Sequence, residues 1–219
     1  MPDFEPNTQR FQMLYENTVA PATLGLLRTL MEVEALKPFA LVGGTNLSLR
    51  FGHRISEDLD IFANEAYESE DIVRPLLDLF PEEINVVEHR AHTLLLYIRT
   101  VKIDIVLHRY PYLQPIETVE GIRLASVPDI VAMKLNAITR RSTKKDFFDI
   151  SELLDHYTLQ EMLHFFTDKY TATDIGFVVR SLTYFEGAEH SKDAILLKNL
   201  TWNQVKEKIE QAVQDFWRG

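Results

Sequence analysis

The chain has 219 residues, of which 46% are hydrophobic, and its formal net charge is −10. This length allows one large domain or two small ones with a substantial core, while the negative charge excludes general electrostatic attraction to nucleic acids or anionic membranes. The chain has no cysteine, which excludes disulfides and thiolate metal sites. Since it shows neither a basic and apolar leader nor a run of about 18 apolar residues, we expect a cytoplasmic protein with no membrane partner.

Helices and short strands alternate in the first part of the chain. Apolar residues recur at helical spacing before residue 36, and Pro21 suits the first turn of a helix. Thr45 is expected to cap a short helix that ends at Gly52. The predicted elements are helices between 8 and 36, a strand over 38–42, a helix over 45–51, a strand over 58–63 and a helix over 70–80.

A strand-rich stretch follows, and after it the chain becomes helical. Short runs of β-branched and aromatic residues predict strands over 84–88, 93–99, 101–108 and 121–125. Ser126 and Pro128 are typical of a helix start. Helices are predicted from 126 onward and over 145–155, 159–169, 174–185, 192–197 and 201–217. We therefore predict a mixed α/β part, residues 1–125, and a helical part, residues 126–219.

The most informative pattern runs from a glycine turn to two aspartates. Gly43 and Gly44 follow an apolar run, and Asp58 and Asp60 come later at positions i and i+2. Such positions in a strand point to one face, so the two carboxylates would repel each other. A divalent cation removes this repulsion, and Mg²⁺ prefers carboxylate oxygens, water and substrate phosphates. The N–H groups of the glycine turn can bind a phosphate.

A third acid, Asp104, lies in the otherwise apolar run 101–107. If its strand lies beside that of Asp58 and Asp60, three carboxylates meet at one point and can hold two Mg²⁺ ions roughly 3.5–4 Å apart. One ion would activate an attacking hydroxyl, and the other would bind a triphosphate. An isolated Asp-x-Asp is also typical of a solvated strand end, so the prediction depends on the combination of turn, spacing and third acid.

Five basic residues with no acid between them are Lys134, Arg140, Arg141, Lys144 and Lys145. Such a group is typical either of a solvated helix end, where cations are favoured, or of a surface that contacts triphosphate or RNA phosphates. Lys134 lies among apolar positions of a helix, where an unpaired lysine is costly. We therefore predict that Lys134 points into the active site and binds a phosphate.

Two acids follow this basic group. Asp146 and Asp149 lie at i and i+3, which places them on one helix face. They are predicted to pair with Arg140, Lys144 or the active-site lysine. Such a pair is either an ordinary surface contact or a part of the site.

Polar residues also lie between the glycine turn and the first two aspartates. Arg54 is expected either to bind phosphate or to hold Asp58. His53 is available as a general base, but a metal-dependent reaction requires no histidine base.

Together these residues resemble the nucleotidyltransferases of the AbiEii/AbiGii toxin family, members of the DNA polymerase β-like superfamily. The resemblance covers roughly residues 38–155. It rests on a Gly-Gly-Thr turn, the pattern Arg-x-Ser-x-Asp-Leu-Asp-x-Phe, an acid on a later strand, and a lysine followed by basic and acidic residues. The matching positions are Gly43, Gly44, Thr45, Arg54, Ser56, Asp58, Asp60, Asp104, Lys134, Arg141, Lys144, Asp146 and Asp149.

The resemblance implies an α+β fold, in which a mixed sheet is flanked by helices and followed by a C-terminal helical part. It implies transfer of a nucleoside monophosphate from an NTP to an acceptor such as tRNA or a protein. Asp58, Asp60 and Asp104 would be the catalytic metal ligands for two Mg²⁺ ions, and the other matching residues would bind the nucleotide. The resemblance further implies a toxin of a toxin–antitoxin or phage-defence pair, with a cognate antitoxin as partner.

Two other functions are compatible with the same residues. One is a non-catalytic regulatory protein that binds a nucleotide on this fold, although the intact set of carboxylates argues against it. The other is a metal-dependent phosphohydrolase that uses water as the acceptor.

Overall fold

The fold is given by a computed structural model, which describes residues 13–171 and 174–218. Its strands are β1 (Ala40–Val42), β2 (Leu59–Ala63), β3 (Ile84–Arg90), β4 (Thr93–Ile98), β5 (Val101–Leu107), β6 (Glu117–Val119) and β7 (Ile122–Leu124). Its helices are α1 (Pro21–Glu32), α2 (Gly43–Phe51), α3 (Ser69–Leu79), α4 (Val127–Ile138), α5 (Lys144–Leu153), α6 (Leu159–Lys169), α7 (Ile175–Leu182), α8 (Glu186–Glu189) and α9 (Trp202–Arg218). The predicted helical start near Thr8 lies outside the described residues. Among the helices that are described, none has the length and apolar character needed to span a membrane.

The seven strands form one mixed sheet in the order β3-β4-β5-β2-β1-β7-β6. β2 pairs antiparallel with β1 and parallel with β5, and this register places Asp60 opposite Asp104. Leu59 and Ile61 of β2 are fully buried in a core that includes residues of α1 and α3. Asp60 therefore faces the opposite side of the sheet. The predicted mixed α/β fold is confirmed.

The helices that follow the sheet build a second core, which draws on α4, α5, α6 and α9. Val42 of β1 and Leu47 of α2 belong to this core, so the helices pack directly beside the glycine turn. β7 ends at Leu124 and α4 begins at Val127, where the Ser126 hydroxyl accepts a hydrogen bond from the Asp129 amide. The change from sheet to helix falls at the predicted place, while the division into two domains stays a prediction.

The N-terminus of α2 differs from its prediction. The helix begins at Gly43 rather than Thr45, and no side chain caps it. The Thr45 hydroxyl contacts Ser56 Oγ and the Asp58 carbonyl instead. The end of the helix agrees with the prediction, since Gly52 adopts a left-handed conformation with φ of 66°.

The predicted helix over 192–197 is wrong. This segment runs beside the loop before β2, where Ile55 N donates to Ile195 O at 2.8 Å and Leu197 N donates to His53 O at 2.9 Å. Its backbone groups are thus engaged with a distant part of the chain rather than within a helix. β6 and α8, which the sequence did not predict, are three and four residues long, too short for a periodic pattern.

Asn46 connects the sheet, α2 and the start of the helical part. Its side-chain nitrogen donates to the carbonyls of Leu41 at 2.8 Å and Ala125 at 3.0 Å, and its oxygen accepts from Arg50 Nε at 3.0 Å. Asn46 is fully buried. Because buried polar groups are costly when unpaired, this residue holds the helix that carries the glycine turn in one position.

Replacing Asn46 by alanine should lower the free energy of unfolding by about 1–3 kcal/mol, since the three hydrogen bonds of this fully buried side chain are lost. Urea unfolding followed by circular dichroism measures the change. The matched control is Asn64→Ala at an exposed position, which should change stability by less than about 0.5 kcal/mol. Equal effects of the two substitutions would contradict the role of Asn46.

Candidate active site

The centre of the site is a pair of carboxylates on neighbouring strands. Asp60 of β2 and Asp104 of β5 are register partners, as the sequence predicts for the strand of the third acid. Both line a cavity of about 310 Å³ on the face of the sheet opposite the α1–α3 core. Burial, and then the neighbouring Asp104 carboxylate, raise the pKa of Asp60 above its usual value. The fold therefore holds two acidic groups together, and the nearby Lys134 and Lys102 ammonium groups partly offset their repulsion.

Asp58 takes a different position from the other two acids. It precedes β2, its side chain is 43% exposed, and its Oδ2 lies 3.4 Å from Lys145 Nζ. It borders a second cavity of about 170 Å³, which Arg54 and Ser56 also line.

The acids do not meet as one group in the described part of the chain. Lys102 Nζ bonds both carboxylate oxygens of Asp104, at 2.7 and 2.6 Å. Within residues 13–171 and 174–218, no three His, Asp or Glu side chains are arranged to hold a metal ion. In this arrangement Asp60 and Asp104 form a pair and Asp58 contacts Lys145 instead. The role of the three acids as metal ligands stays a prediction.

The glycine turn lies directly against this pair. Gly43 has a φ of 71°, a left-handed conformation, and a Cβ built on it would lie 2.3 Å from Asp60 Oδ2. A Cβ on Gly44 would lie 2.0 Å from Arg54 Nη2. Both positions therefore require glycine, because each backbone touches a charged side chain. Gly43 also lines the larger cavity at the N-terminus of α2, where backbone N–H groups favour an anion.

Thr45 and Ser56 hold the loop between the turn and the acids. The Thr45 hydroxyl lies 2.8 Å from Ser56 Oγ and donates to the backbone carbonyl of Asp58. Both side chains are buried. Their contacts position Asp58, whereas their predicted role in nucleotide binding stays a prediction.

Asp149 is the centre of a buried ionic network. Arg54 bonds both of its oxygens, through Nε at 2.7 Å and Nη2 at 2.9 Å. Its Oδ1 is also 2.7 Å from His53 Nε2, and its Oδ2 is 2.6 Å from Lys134 Nζ. All four residues are buried. Arg54 thus holds Asp149 rather than Asp58, and His53 belongs to this network and not to the acid pair.

Asp146 extends the network towards the cavity. It bonds Lys134 Nζ at 3.0 Å, Thr143 Oγ1 at 2.6 Å and Arg141 Nε at 3.2 Å. Of the predicted partners of Asp146 and Asp149, Lys134 of α4 is thus the one that contacts both. Lys134 does line the cavity, but its ammonium group already bonds two carboxylates, so its main contact is with protein.

The charges of this network explain the pKa values of its acids. Burial alone would raise the pKa of Asp149, but the cations of Arg54 and Lys134 hold it well below its usual value. Burial likewise opposes ionisation of Asp146, and Lys134 and Arg141 lower its pKa. Both carboxylates are therefore charged at neutral pH, and the network joins the loop before β2 to α4 and α5.

Lys144 and Lys145 point in different directions at the start of α5. Lys144 Nζ bonds Asp193 at 2.6 Å, and its amide donates to Ser191 Oγ at 2.8 Å. It lines neither of the two cavities, and its role in nucleotide binding stays a prediction. Lys145, which the resemblance did not include, is the lysine that reaches Asp58. Adjacent helix residues point about 100° apart, and the sequence does not say which one faces the site.

The far end of the larger cavity contains residues that the sequence analysis assigned no role. They are Phe62, His108, Asn136 and Tyr170. Phe62 lies on β2, His108 just after β5, Asn136 on α4 and Tyr170 just after α6. No common sequence spacing therefore connects them. One signal was available: Phe62 and His108 follow Asp60 and Asp104 by two and four positions, which places each on the strand face of its aspartate.

Comparison with known proteins places this chain in a family. A family model described as the nucleotidyl transferase AbiEii toxin of a type IV toxin–antitoxin system matches residues 25–218. The chain is 31% identical over 186 residues to the uncharacterized protein aq_aa25 of Aquifex aeolicus (strain VF5), covering 81% of this chain and 87% of that protein.

Two solved structures share the fold. MenT4, a nucleotidyltransferase toxin of Mycobacterium tuberculosis H37Rv, matches with a TM-score of 0.58 and 14% identity, over 86% of this chain and 82% of its own. JHP933 from Helicobacter pylori matches with a TM-score of 0.57 and 18% identity, over 91% of this chain and 94% of its own. At these sequence identities, the similarity shows a shared fold and nothing more.

Replacing Asp149 by asparagine should lower the free energy of unfolding by about 3–5 kcal/mol near neutral pH, because the buried Arg54 loses its bidentate carboxylate and Lys134 keeps only Asp146. The folded pKa of Asp149 lies below its unfolded value of 3.8. Its stabilisation is therefore present above that pH and is lost as the pH falls through the folded pKa. Urea unfolding between about pH 7 and pH 2 should show a shallower acid dependence in the variant.

The control for this experiment is Asp168→Asn, whose side chain is 49% exposed and whose removal should leave the pH dependence nearly unchanged. If D149N and the wild type lost stability in parallel below about pH 4, the network would not carry this contribution.

Proposed function

The chain belongs to the AbiEii nucleotidyl transferase toxin family, and from that premise we propose that it is a Mg²⁺-dependent nucleotidyltransferase with an NTP as donor. The observation that carries this proposal is the register pairing of Asp60 with Asp104 beside the Gly43 turn. Two partly exposed carboxylates beside a helix N-terminus combine a cation site with a phosphate site.

The donor set fits a hard divalent cation. Asp60 and Asp104 lie side by side, and the raised pKa of Asp60 records burial and a repulsion that a cation would relieve. We propose that Asp58 and Asp60 bind two Mg²⁺ ions and that Asp104 binds one of them. When bound, Mg²⁺ would stabilise charge on the triphosphate and lower the pKa of the attacking hydroxyl.

The protein's own residues would position the donor and the proton. The backbone N–H groups at Gly43 and Gly44 would hold the phosphates, and Arg141, whose side chain is 60% exposed at the cavity, would neutralise them. The acceptor oxygen would attack the α-phosphorus, the bond to pyrophosphate would break, and Asp104 would take the hydroxyl proton. Catalysis would then consist of positioning and charge stabilisation.

The acceptor is proposed to be an RNA such as tRNA, with a protein as the alternative. Arg140 and Arg141 line the cavity and supply cations for acceptor phosphates in an otherwise acidic chain. The family description includes a type IV toxin–antitoxin system, which supports a toxin role and a partner antitoxin.

A second candidate function is a nucleotide-binding protein without catalysis. It is favoured by the contacts of Lys102 with Asp104 and of Lys145 with Asp58, which neutralise two of the acids within the protein itself. This protein would bind NTP but would form no product with any acceptor.

Replacing Asp60 by asparagine should reduce nucleotidyl transfer at least about a hundredfold, while thermal stability stays equal or rises because the repulsion with Asp104 is removed. Transfer is measured with Mg²⁺, α-³²P-labelled NTPs and total bacterial tRNA on a denaturing gel, and stability by thermal unfolding. Chelation of Mg²⁺ should abolish the same signal.

The matched control is Asp78→Asn on the exposed face of α3, which should retain transfer. Wild-type label that persists in D60N would refute the assignment of the acids. NTP binding without label on RNA or protein would favour the second candidate function.

Replacing Gly43 by alanine should also reduce transfer at least about tenfold, because the new Cβ meets Asp60 and the backbone conformation is strained. Gly25→Ala is the matched control, since a Cβ there meets no atom within 4 Å and alanine favours a helix. Transfer rates of both variants are compared under the same conditions. Equal rates would show that the close approach of the turn to Asp60 is not needed.

A further inference from the structure

The larger cavity has two chemically different ends. One end carries the acid pair, Asp60 and Asp104, and the other carries three aromatic rings, those of Phe62, His108 and Tyr170. We call these three rings the aromatic wall. A nucleotide has the same division, since charged phosphates lie at one end and a flat base at the other.

The strands set the separation between the two ends. Phe62 follows Asp60 on the same face of β2, at a distance of about 6.6 Å along the strand. His108 lies four positions after Asp104, just beyond the end of β5, and its amide donates to the Ala63 carbonyl at 2.7 Å. The wall thus begins at a distance from the acids that is about the length of a ribose. This separation suits a donor nucleotide whose reacting phosphate lies at the acid pair.

The rings of the wall hold each other in place. Phe62 and His108 have centroids 6.1 Å apart, and His108 meets Tyr170 edge to face at 5.9 Å. The Tyr170 hydroxyl lies 3.0 Å from His108 Nε2. Tyr170 is buried, while Phe62 and His108 are partly exposed to the cavity. A preformed aromatic surface of this kind binds a base at low entropic cost.

His108 is uncharged at neutral pH. Burial, and then the Lys169 ammonium, lower its pKa to about 4. The wall therefore presents a neutral surface, which favours a base rather than a phosphate.

Asn136 supplies the polar group beside this wall. It lines the cavity from α4 and makes a side-chain hydrogen bond to the Tyr170 hydroxyl. Asparagine offers a carbonyl oxygen and two N–H groups, so this bond leaves an acceptor and a donor. Paired donor and acceptor groups of an amide can read the edge of a base.

We propose that the aromatic wall binds the base of the donor nucleotide and that Asn136 determines which base is preferred. This inference rests on the proposed function, because it assigns a subsite of the same cavity. Tyr170 is a positioning residue, since it orients both Asn136 and His108.

The test measures binding by isothermal titration calorimetry with Mg²⁺, using each of the four NTPs and inorganic tripolyphosphate, which has no base. We expect His108→Ala to weaken NTP binding roughly tenfold and to leave tripolyphosphate binding unchanged. Asn136→Ala should reduce the preference among the four NTPs to within about threefold. The matched control is His164→Ala, whose side chain is 71% exposed, and it should behave as the wild type.

Two results would overturn the proposal. One is an equal loss of NTP and tripolyphosphate binding in a folded His108→Ala protein, and the other is an unchanged preference in Asn136→Ala. If His108→Ala fails to fold, the Asn136 variant alone decides. If the wild type transfers label and both variants keep its preference among the four NTPs, only the subsite is refuted. If the wild type neither binds nor transfers any NTP, the proposed function is refuted as well.

Discussion

The site depends on one buried carboxylate, that of Asp149. It joins three parts of the chain that are distant in sequence, because Arg54 comes from the loop before β2, Lys134 from α4 and Asp149 itself from α5. Burying these charges is favourable only when each has a partner in good geometry. Folding therefore favours the arrangement of this loop, α4 and α5 that keeps the charged groups in contact. Any arrangement that separates them leaves a charge unpaired in the interior.

The acid pair has the opposite character. Asp60 and Asp104 repel each other, and the sheet holds them in register regardless. The repulsion between them is offset by burial of the apolar side chains on the other face of the same strands, where Leu59 and Ile103 are completely buried. The same two strands therefore provide a stable core on one face and an electrostatically unfavourable pair of carboxylates on the other.

Much of this could be predicted from the sequence, since alternation along a strand places Asp60 and Leu59 on opposite faces. The start of α2 could not, because the helix begins at Gly43 and not at the predicted Thr45. The sequence could not say that Arg54 would bond Asp149, because 95 positions separate them and either Asp58 or a phosphate satisfies the same guanidinium. It also placed a helix at 192–197, where tertiary hydrogen bonds override local preference. Local patterns thus indicated which residues matter, and only the folded chain showed their partners.

The pairing of Ile195 and Leu197 with the loop before β2 has a consequence for synthesis of the protein. This loop carries Arg54 and leads directly into Asp58, yet two of its backbone partners, Ile195 and Leu197, follow every strand of the described sheet in the sequence. Contacts between such distant segments form late, since they require closure of a long loop. A chain synthesised only as far as α8 would have every strand of the described sheet and would still lack these two backbone partners of the loop that precedes Asp58.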